Sequence, residues 1–232
     1  MYKKTRGIVL RKNKYTDNAA ILTIFTRDLG VIKASAFGLH SLKNGIAGAS
    51  QIYTFSEYTL VCKNDTYTVT NAMLVEDFGR ITAASYEALL QAERVASAAL
   101  VFFGEAQDSQ DGFLLLYATM SYMAYSGMHP DDAYIYFLLH SFKLSGQCPA
   151  ITHCAVCDEE LFRKKDISFS YKHGGAVCSK CAVGAPVMRL SLEAMRRILL
   201  IPYIEMGKVV LPPNVRDELL MLLDGYYRYW NK

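Results

Sequence analysis

The sequence predicts an α+β protein of two domains: a small β-barrel, then an all-α domain carrying an inserted module with four cysteines. Three observations favour this fold class. Residues 1–80 show short strand-like runs, residues from 85 onward show helical periodicity, and two C-x-x-C pairs interrupt the helical part. The 232 residues, 52% of them hydrophobic, suffice for two packed cores. We therefore expect a barrel over residues 1–80 and a helical domain over 81–232, with the module inserted at about 150–188.

Five runs in the first 80 residues are typical of β-strands. They cover residues 5–12, 20–26, 31–37, 52–62 and 67–74. A loop containing Gly30 joins the second run to the third, as in a hairpin. Five strands that begin with a meander favour a small closed barrel over a sandwich, which needs seven or more. The strand number and size indicate a barrel of the OB type.

Helical periodicity begins at Ser85, and glycines end the first three predicted helices. The first runs from Ser85 to Gly104, the second from residue 111 to Gly127, and the third from Pro130 to Gly146. After the cysteine module, Ser191 is a candidate N-cap for a helix over 192–201. A last helix follows Pro213 and runs to Trp230. We expect its apolar stripe to dock on its own domain, and the alternative is a groove for a partner helix. We expect His140, on an apolar helix, to be a buried residue with a hydrogen-bond partner.

Four cysteines have the spacing of a metal site. Cys154-x-x-Cys157 and Cys178-x-x-Cys181 are separated by 20 residues, and Gly174-Gly175 can turn a hairpin between them. Two such pairs can enclose one Zn²⁺ in a tetrahedron of thiolates. The alternatives are two redox motifs, two disulfides or four unrelated thiols, and no βαβ pattern supports the redox alternative. We interpret the cluster as one structural zinc site, with Cys62 and Cys148 as ordinary thiols.

The net charge of +3 is unevenly distributed. Residues 1–43 contain nine lysines and arginines against two aspartates, a net charge of +7, whereas residues 81–150 contain two against seven acids, a net charge of −5. A basic end favours binding of a polyanion such as DNA, and the alternative is a solvated basic surface. The candidate DNA-binding residues are Lys3, Lys4, Arg6, Arg11, Lys12, Lys14, Arg27, Lys33 and Lys43.

Aromatic residues near these charges could stack on bases. Tyr2 and Tyr15 are flanked by lysines and are the stacking candidates. Phe25 and Phe37 alternate with polar neighbours, so we expect both of them to pack in the core.

Signatures of catalysis are missing from the sequence. It contains no G-x-x-x-x-G-K-[ST] phosphate loop, no H-E-x-x-H, no G-x-S-x-G and no zinc-deaminase pattern. An all-sulfur zinc site also offers no open position for a catalytic water. We therefore expect no enzyme activity and no small-molecule substrate. The longest apolar run, residues 198–204, is too short to span a bilayer, and no secretory signal is visible, so we expect no membrane association and a cytoplasmic location.

The sequence resembles the bacterial recombination mediator family RecO. The resemblance rests on residues 5–11, Tyr15, residues 21–26, Gly30 and residues 36–38, and on the stretch 138–157, which leads into the first C-x-x-C pair. Two departures concern Ala19-Ala20, where the family usually carries a charged pair, and residues 39–44, where the family's basic loop is reduced to the single lysine Lys43.

The resemblance implies an N-terminal OB domain, a helical domain and a four-cysteine zinc site. It also implies a role in DNA repair and recombination, with binding of single- and double-stranded DNA and annealing of complementary strands. With RecR, such a protein helps RecA load onto DNA coated by the single-stranded-DNA-binding protein SSB. That loading involves contact with the SSB C-terminal tail. The implied location is the bacterial cytoplasm, on the nucleoid when bound to DNA. Two other hypotheses are a zinc-stabilised protein-interaction adaptor without direct DNA binding and a zinc hydrolase.

Overall fold

The computed structural model describes residues 1–40, 45–64, 66–83, 85–104, 109–162, 164, 166–181 and 185–231. The chain forms two compact units, Met1–Tyr125 and Ser126–Lys232. The boundary between these units does not coincide with the domain boundary predicted near residue 80, because the helices that follow the barrel pack on it.

Five strands form the closed barrel of the first unit. They are β1 (Tyr2–Thr16), β2 (Ala19–Thr26), β3 (Gly30–Phe37), β4 (Thr54–Lys63) and β5 (Thr66–Asp77). Their order around the barrel is β1-β2-β3-β5-β4, and only β3 and β5 pair in parallel. This confirms the predicted OB-type barrel. A one-turn helix, α1 (Ile46–Ala49), lies between β3 and β4 and was not predicted.

The first strand pairs with two different neighbours along its length. β1 pairs with β4 from Tyr2 to Ile8 and with β2 from Gly7 to Thr16. A register shift between Val9 and Arg11 interrupts the alternation of its side chains. The basic residues before this shift and those after it therefore reach different surfaces of the barrel.

Three helices complete the first unit: α2 (Phe78–Thr82), α3 (Tyr86–Phe103) and α4 (Gln110–Tyr125). The Ser85 side chain accepts a hydrogen bond from the Ala88 N–H and so caps α3, at the residue where helical periodicity was predicted to begin. The ring of Phe25 on β2 lies 5.8 Å from that of Phe103 and 5.9 Å from that of Phe113. These contacts bury Phe25 completely and explain why the unit extends to Tyr125.

The second unit combines three long helices with a small sheet. The helices are α5 (Pro130–Leu144), α6 (Arg189–Ile198) and α7 (Pro213–Trp230), and a 3₁₀ helix spans Tyr203–Lys208. Strands β6 (Ile167–Ser170), β7 (Gly175–Cys178) and β8 (Ala185–Pro186) form the sheet in the order β7-β6-β8. The sheet and the cysteines form the inserted module.

The start of α6 differs from the prediction. Ser191 is buried inside the helix, which begins at Arg189. The helix has no capping side chain at its N-cap, Met188, whose own backbone N–H donates to the carboxylate of Glu218 on α7 at 3.0 and 3.2 Å. Tertiary packing therefore sets this helix end.

A buried ion pair links α5 to α7. The Arg216 guanidinium donates to both carboxylate oxygens of Asp132, at 2.6 and 3.1 Å, and the same carboxylate accepts the Leu211 N–H at 3.2 Å. Asp132 is only 1% exposed, and these bonds offset the cost of burying its charge.

In the described part of the chain, none of the helices is long and apolar enough to cross a bilayer.

Candidate metal centre and nucleic-acid interface

The four predicted ligand cysteines come together in the second unit. The Sγ atoms of Cys154, Cys157, Cys178 and Cys181 all lie within 4.8 Å of one another. A Zn–S bond of about 2.3 Å places tetrahedral sulfur ligands about 3.8 Å apart. The Sγ atoms of Cys157 and Cys178 are 3.7 Å apart, which matches this spacing and is too long for a disulfide.

Each C-x-x-C pair contributes one buried and one more accessible sulfur. Cys154 and Cys178 are buried, Cys157 is exposed and Cys181 is intermediate. The Cys178 N–H donates to the Cys154 sulfur at 3.4 Å, as amides around thiolate ligands do. The site is therefore anchored on its buried side and reaches the surface on the other.

Two lysines carry positive charge to the edge of this cluster. Glu159 lies between them, with its carboxylate 2.7 Å from Lys164 Nζ and 3.9 Å from Lys180 Nζ. The hydrogen bond from Lys164 lowers the pKa of Glu159. These charges partly offset the negative charge of a four-thiolate site.

The thiols of the cluster would repel one another if all were ionised. Burial raises the pKa of Cys154, but backbone N–H groups of Cys157, Cys178 and Val156 outweigh it and lower that pKa. The neighbouring Cys157 raises the pKa of Cys181. Four thiolates at this separation therefore require a cation between them, and an all-sulfur tetrahedral donor set fits Zn²⁺. Such an ion would be held by side chains alone and would brace the module.

The backbone of the module is arranged to bring the two cysteine pairs together. Ala150 accepts the Ala176 N–H at 2.7 Å and donates to the Gly174 carbonyl at 2.9 Å. Gly175 lies between these two bonds, and a Cβ on it would come within 2.3 Å of the Ala150 oxygen. Only glycine permits this approach, which places the chain leading to Cys154 beside the strand that ends in Cys178.

The predicted DNA-binding residues are distributed over several surfaces of the first unit. Four of them have partners: Lys3 contacts the Tyr67 hydroxyl and ring, Arg6 pairs with Glu57, Lys12 with Gln51, and Lys14 with Asp17. Burial lowers the pKa of Lys12. Four others are exposed and form no ion pair with another described residue: Lys4, Arg11, Arg27 and Lys33. Lys43 lies outside the described residues.

One surface combines free cations with exposed apolar side chains. We call the outer surface of β1, β2 and β3 the three-strand face. Its cross-strand rows are Arg11–Thr23–Lys33, Asn13–Ile21–Ser35 and Thr16–Ala19–Phe37. Neighbouring strands are about 4.8 Å apart, so Arg11 and Lys33 flank Thr23 within about 10 Å. None of these nine residues is acidic.

Phe37 is a residue whose environment the sequence prediction got wrong. It is 53% exposed instead of packed in the core. On β3 the buried residues Ile32, Ala34 and Ala36 alternate with outward ones, and Phe37 is in phase with Lys33. Strict alternation would have identified it. The prediction that Phe25 is buried is correct, while Tyr2 and Tyr15 are exposed, as stacking would require.

These features define a class of protein with an OB-type barrel, a basic strand face without acids, and a helical second unit with an inserted module whose four cysteines are placed to hold a metal ion. Comparison with known families agrees over nearly the whole chain. The family model "Recombination protein O N terminal" matches residues 1–78 and "Recombination protein O C terminal" matches residues 77–230. The chain belongs to the RecO family, which supports a role in DNA repair and recombination.

Curated relatives share this assignment at low sequence identity. The chain is 26% identical over 228 residues to the DNA repair protein RecO of Caldicellulosiruptor saccharolyticus, covering 97% of this chain and 91% of the relative. It is 28% identical over 198 residues to the protein of the same name from Dehalococcoides mccartyi, covering 84% and 77%. A Bacillus cereus DNA repair protein RecO is 25% identical over 235 residues, covering 98% and 91%.

Proposed function

We propose that the protein is a non-enzymatic recombination mediator that binds DNA through the three-strand face. One observation carries the proposal: this face presents two cations without acidic partners, Arg11 and Lys33, beside the exposed ring of Phe37, and it contains no acid. Cations neutralise phosphates, and the ring offers a stacking surface to an unpaired base. OB folds bind oligonucleotides on this part of the barrel.

The family resemblance extends the proposal to partners. We infer that the protein binds single- and double-stranded DNA, anneals complementary strands, and acts with RecR to help RecA load onto SSB-coated single strands in the bacterial cytoplasm. The contact with the SSB C-terminal tail would be made by other surfaces than the three-strand face, which the DNA strand would occupy. One structural Zn²⁺ would be held by Cys154, Cys157, Cys178 and Cys181, with no role in chemistry.

Variants of the three-strand face test the proposal in the full-length protein. Fluorescence anisotropy with labelled oligo(dT) at constant salt measures the affinity. Arg11→Glu/Lys33→Glu should weaken binding at least about tenfold, because two phosphate contacts become repulsive. Phe37→Ala should weaken it about fivefold or more through lost stacking. The matched control Lys172→Glu/Arg228→Glu changes the same two residue types at exposed positions of the second unit and should bind like wild type.

A second candidate function is a protein-interaction adaptor without direct DNA binding. The exposed apolar side chains of Val156 and Phe162 on the cysteine module, 51% and 55% exposed, favour contact with a protein partner. The same anisotropy assay separates the two functions. Wild-type affinity in all three variants, or no binding by the wild-type protein, would favour the adaptor.

A further inference from the structure

We propose that the barrel carries a second DNA-strand site, a groove on the outer surface of β1, β4 and β5 that holds a phosphodiester backbone without stacking its bases. The inference rests on the proposed function and deepens it, since a mediator that anneals strands must hold two of them. The groove has a volume of about 430 Å³, and Lys4, Arg6 and Arg27 line it together with Thr59 and Asn71.

Strand pairing places these side chains side by side. Lys4 lies opposite Thr59, which lies opposite Asn71, so a cation, a hydroxyl and an amide form one row across the three strands. Arg6 lies opposite Glu57 in the next row. The backbone N–H of Arg27 donates to the backbone carbonyl of Arg6 at 2.9 Å, so Arg27 lies beside Arg6 and lines the same groove. Hydroxyl and amide groups commonly bond to phosphate oxygens alongside cations.

The groove holds more cations than acids, and both of its acids already have partners. The Arg6 Nε donates to Glu57 at 2.7 Å, and the Asp28 carboxylate accepts the Thr5 hydroxyl at 2.8 Å. Lys4 and Arg27 form no ion pair with another described residue. Like charges on neighbouring strands repel each other, and a bound anion relieves that repulsion. A phosphodiester supplies such an anion.

The lining of the groove also indicates what part of a DNA strand it holds. Among the described residues that line it, the one aromatic residue is Tyr58, which is 1% exposed and whose hydroxyl donates to the buried Ala49 carbonyl. The described lining therefore offers no exposed ring on which a base could stack, in contrast to Phe37 on the three-strand face. Contacts to phosphate alone are independent of sequence and of base pairing. The groove would hold the backbone of a second strand while the three-strand face holds the first.

The register of β1 separates the two sites. Lys4 and Arg6 lie on the part of the strand that pairs with β4, whereas Arg11 lies beyond the register shift, on the part that pairs only with β2. With this register shift, strand β1 alone contributes cations to two surfaces of the barrel. The two sites can therefore be changed independently by substitution.

The rate at which the full-length protein anneals two complementary oligonucleotides, measured by fluorescence energy transfer between labels on the two strands, tests the groove. Lys4→Glu/Arg27→Glu should slow annealing at least about fivefold while oligo(dT) affinity stays within about twofold of wild type, because only the second strand uses the groove. Glu57→Gln removes the acid that pairs with Arg6 and should speed annealing at low salt. Lys172→Glu/Arg228→Glu again serves as the control with the same change in net charge, and its annealing rate should equal that of wild type.

Two results would overturn the second site. One is a wild-type annealing rate for Lys4→Glu/Arg27→Glu. The other is a loss of oligo(dT) affinity as large as the loss in annealing rate, which would mean that one surface holds both strands. A wild-type protein that does not bind oligo(dT) would instead overturn the proposed function itself, so the two failures are distinguishable.

Discussion

His140 shows how burial sets the behaviour of a single side chain in the second unit. Its Nε2 is 3.1 Å from the Ile198 carbonyl, and its ring stacks on Tyr136 with centroids 4.2 Å apart. Burial, followed by the positive charge of Lys143, lowers the pKa of His140 against the opposing effect of the Ile198 bond. The neutral ring is thus the form that the folded protein favours, and the expectation of a buried, hydrogen-bonded histidine is confirmed.

The lowered pKa of His140 makes the free energy of unfolding depend on pH. Below the unfolded-state pKa of about 6.5, the unfolded chain takes up a proton that the folded protein does not, so stability is lost as pH falls from that value toward the lower folded-state pKa. Urea denaturation should show a steeper loss between pH 7.5 and 5.5 for wild type than for His140→Gln, with a difference of at most about 1.4 kcal/mol per pH unit. Parallel pH profiles for the two proteins would contradict this assignment.

At the scale of elements, the five barrel strands along the chain and the four-cysteine cluster could be predicted from the sequence, because both depend on local patterns. The start of α6 could not, since Glu218 from α7 binds the amide that precedes it. The outward position of Phe37 was open to prediction from alternation along β3. The division of the cations between two surfaces could not be predicted, because it depends on the register shift between Val9 and Arg11 and on the pairing of β1 with two strands.

The cysteine module is the element whose stability we expect to depend most on a metal ion. Its sheet has strands of four, four and two residues, too little to form an adequate core alone. Cys154→Ser or Cys178→Ser should therefore lose the zinc and loosen the module, because three sulfur ligands no longer complete the tetrahedron. Metal content per chain, measured by inductively coupled plasma mass spectrometry, checks the loss. Cys62→Ser and Cys148→Ser are matched controls that should retain one equivalent, and one full equivalent in the Cys154 and Cys178 variants would refute the site.

At the scale of the whole molecule, positive and negative charges are concentrated in different segments of the chain. The net charge of +3 combines a strongly basic first 43 residues with an acidic stretch over residues 81–150. A polyanion should be attracted to the barrel strands and repelled by the acidic stretch. Binding to DNA should therefore weaken with salt, in proportion to the number of phosphates that the protein neutralises.

The salt dependence of oligo(dT) affinity tests most directly whether the three-strand face binds the phosphates of the DNA backbone. With about five phosphates neutralised, the logarithm of the affinity should fall with the logarithm of the salt concentration at a slope near −3.5 for the wild-type protein. Arg11→Gln/Lys33→Gln should reduce the magnitude of that slope by about 1.4, which corresponds to two lost phosphate contacts. A flat salt response in the wild type, or the same slope in both proteins, would contradict the account.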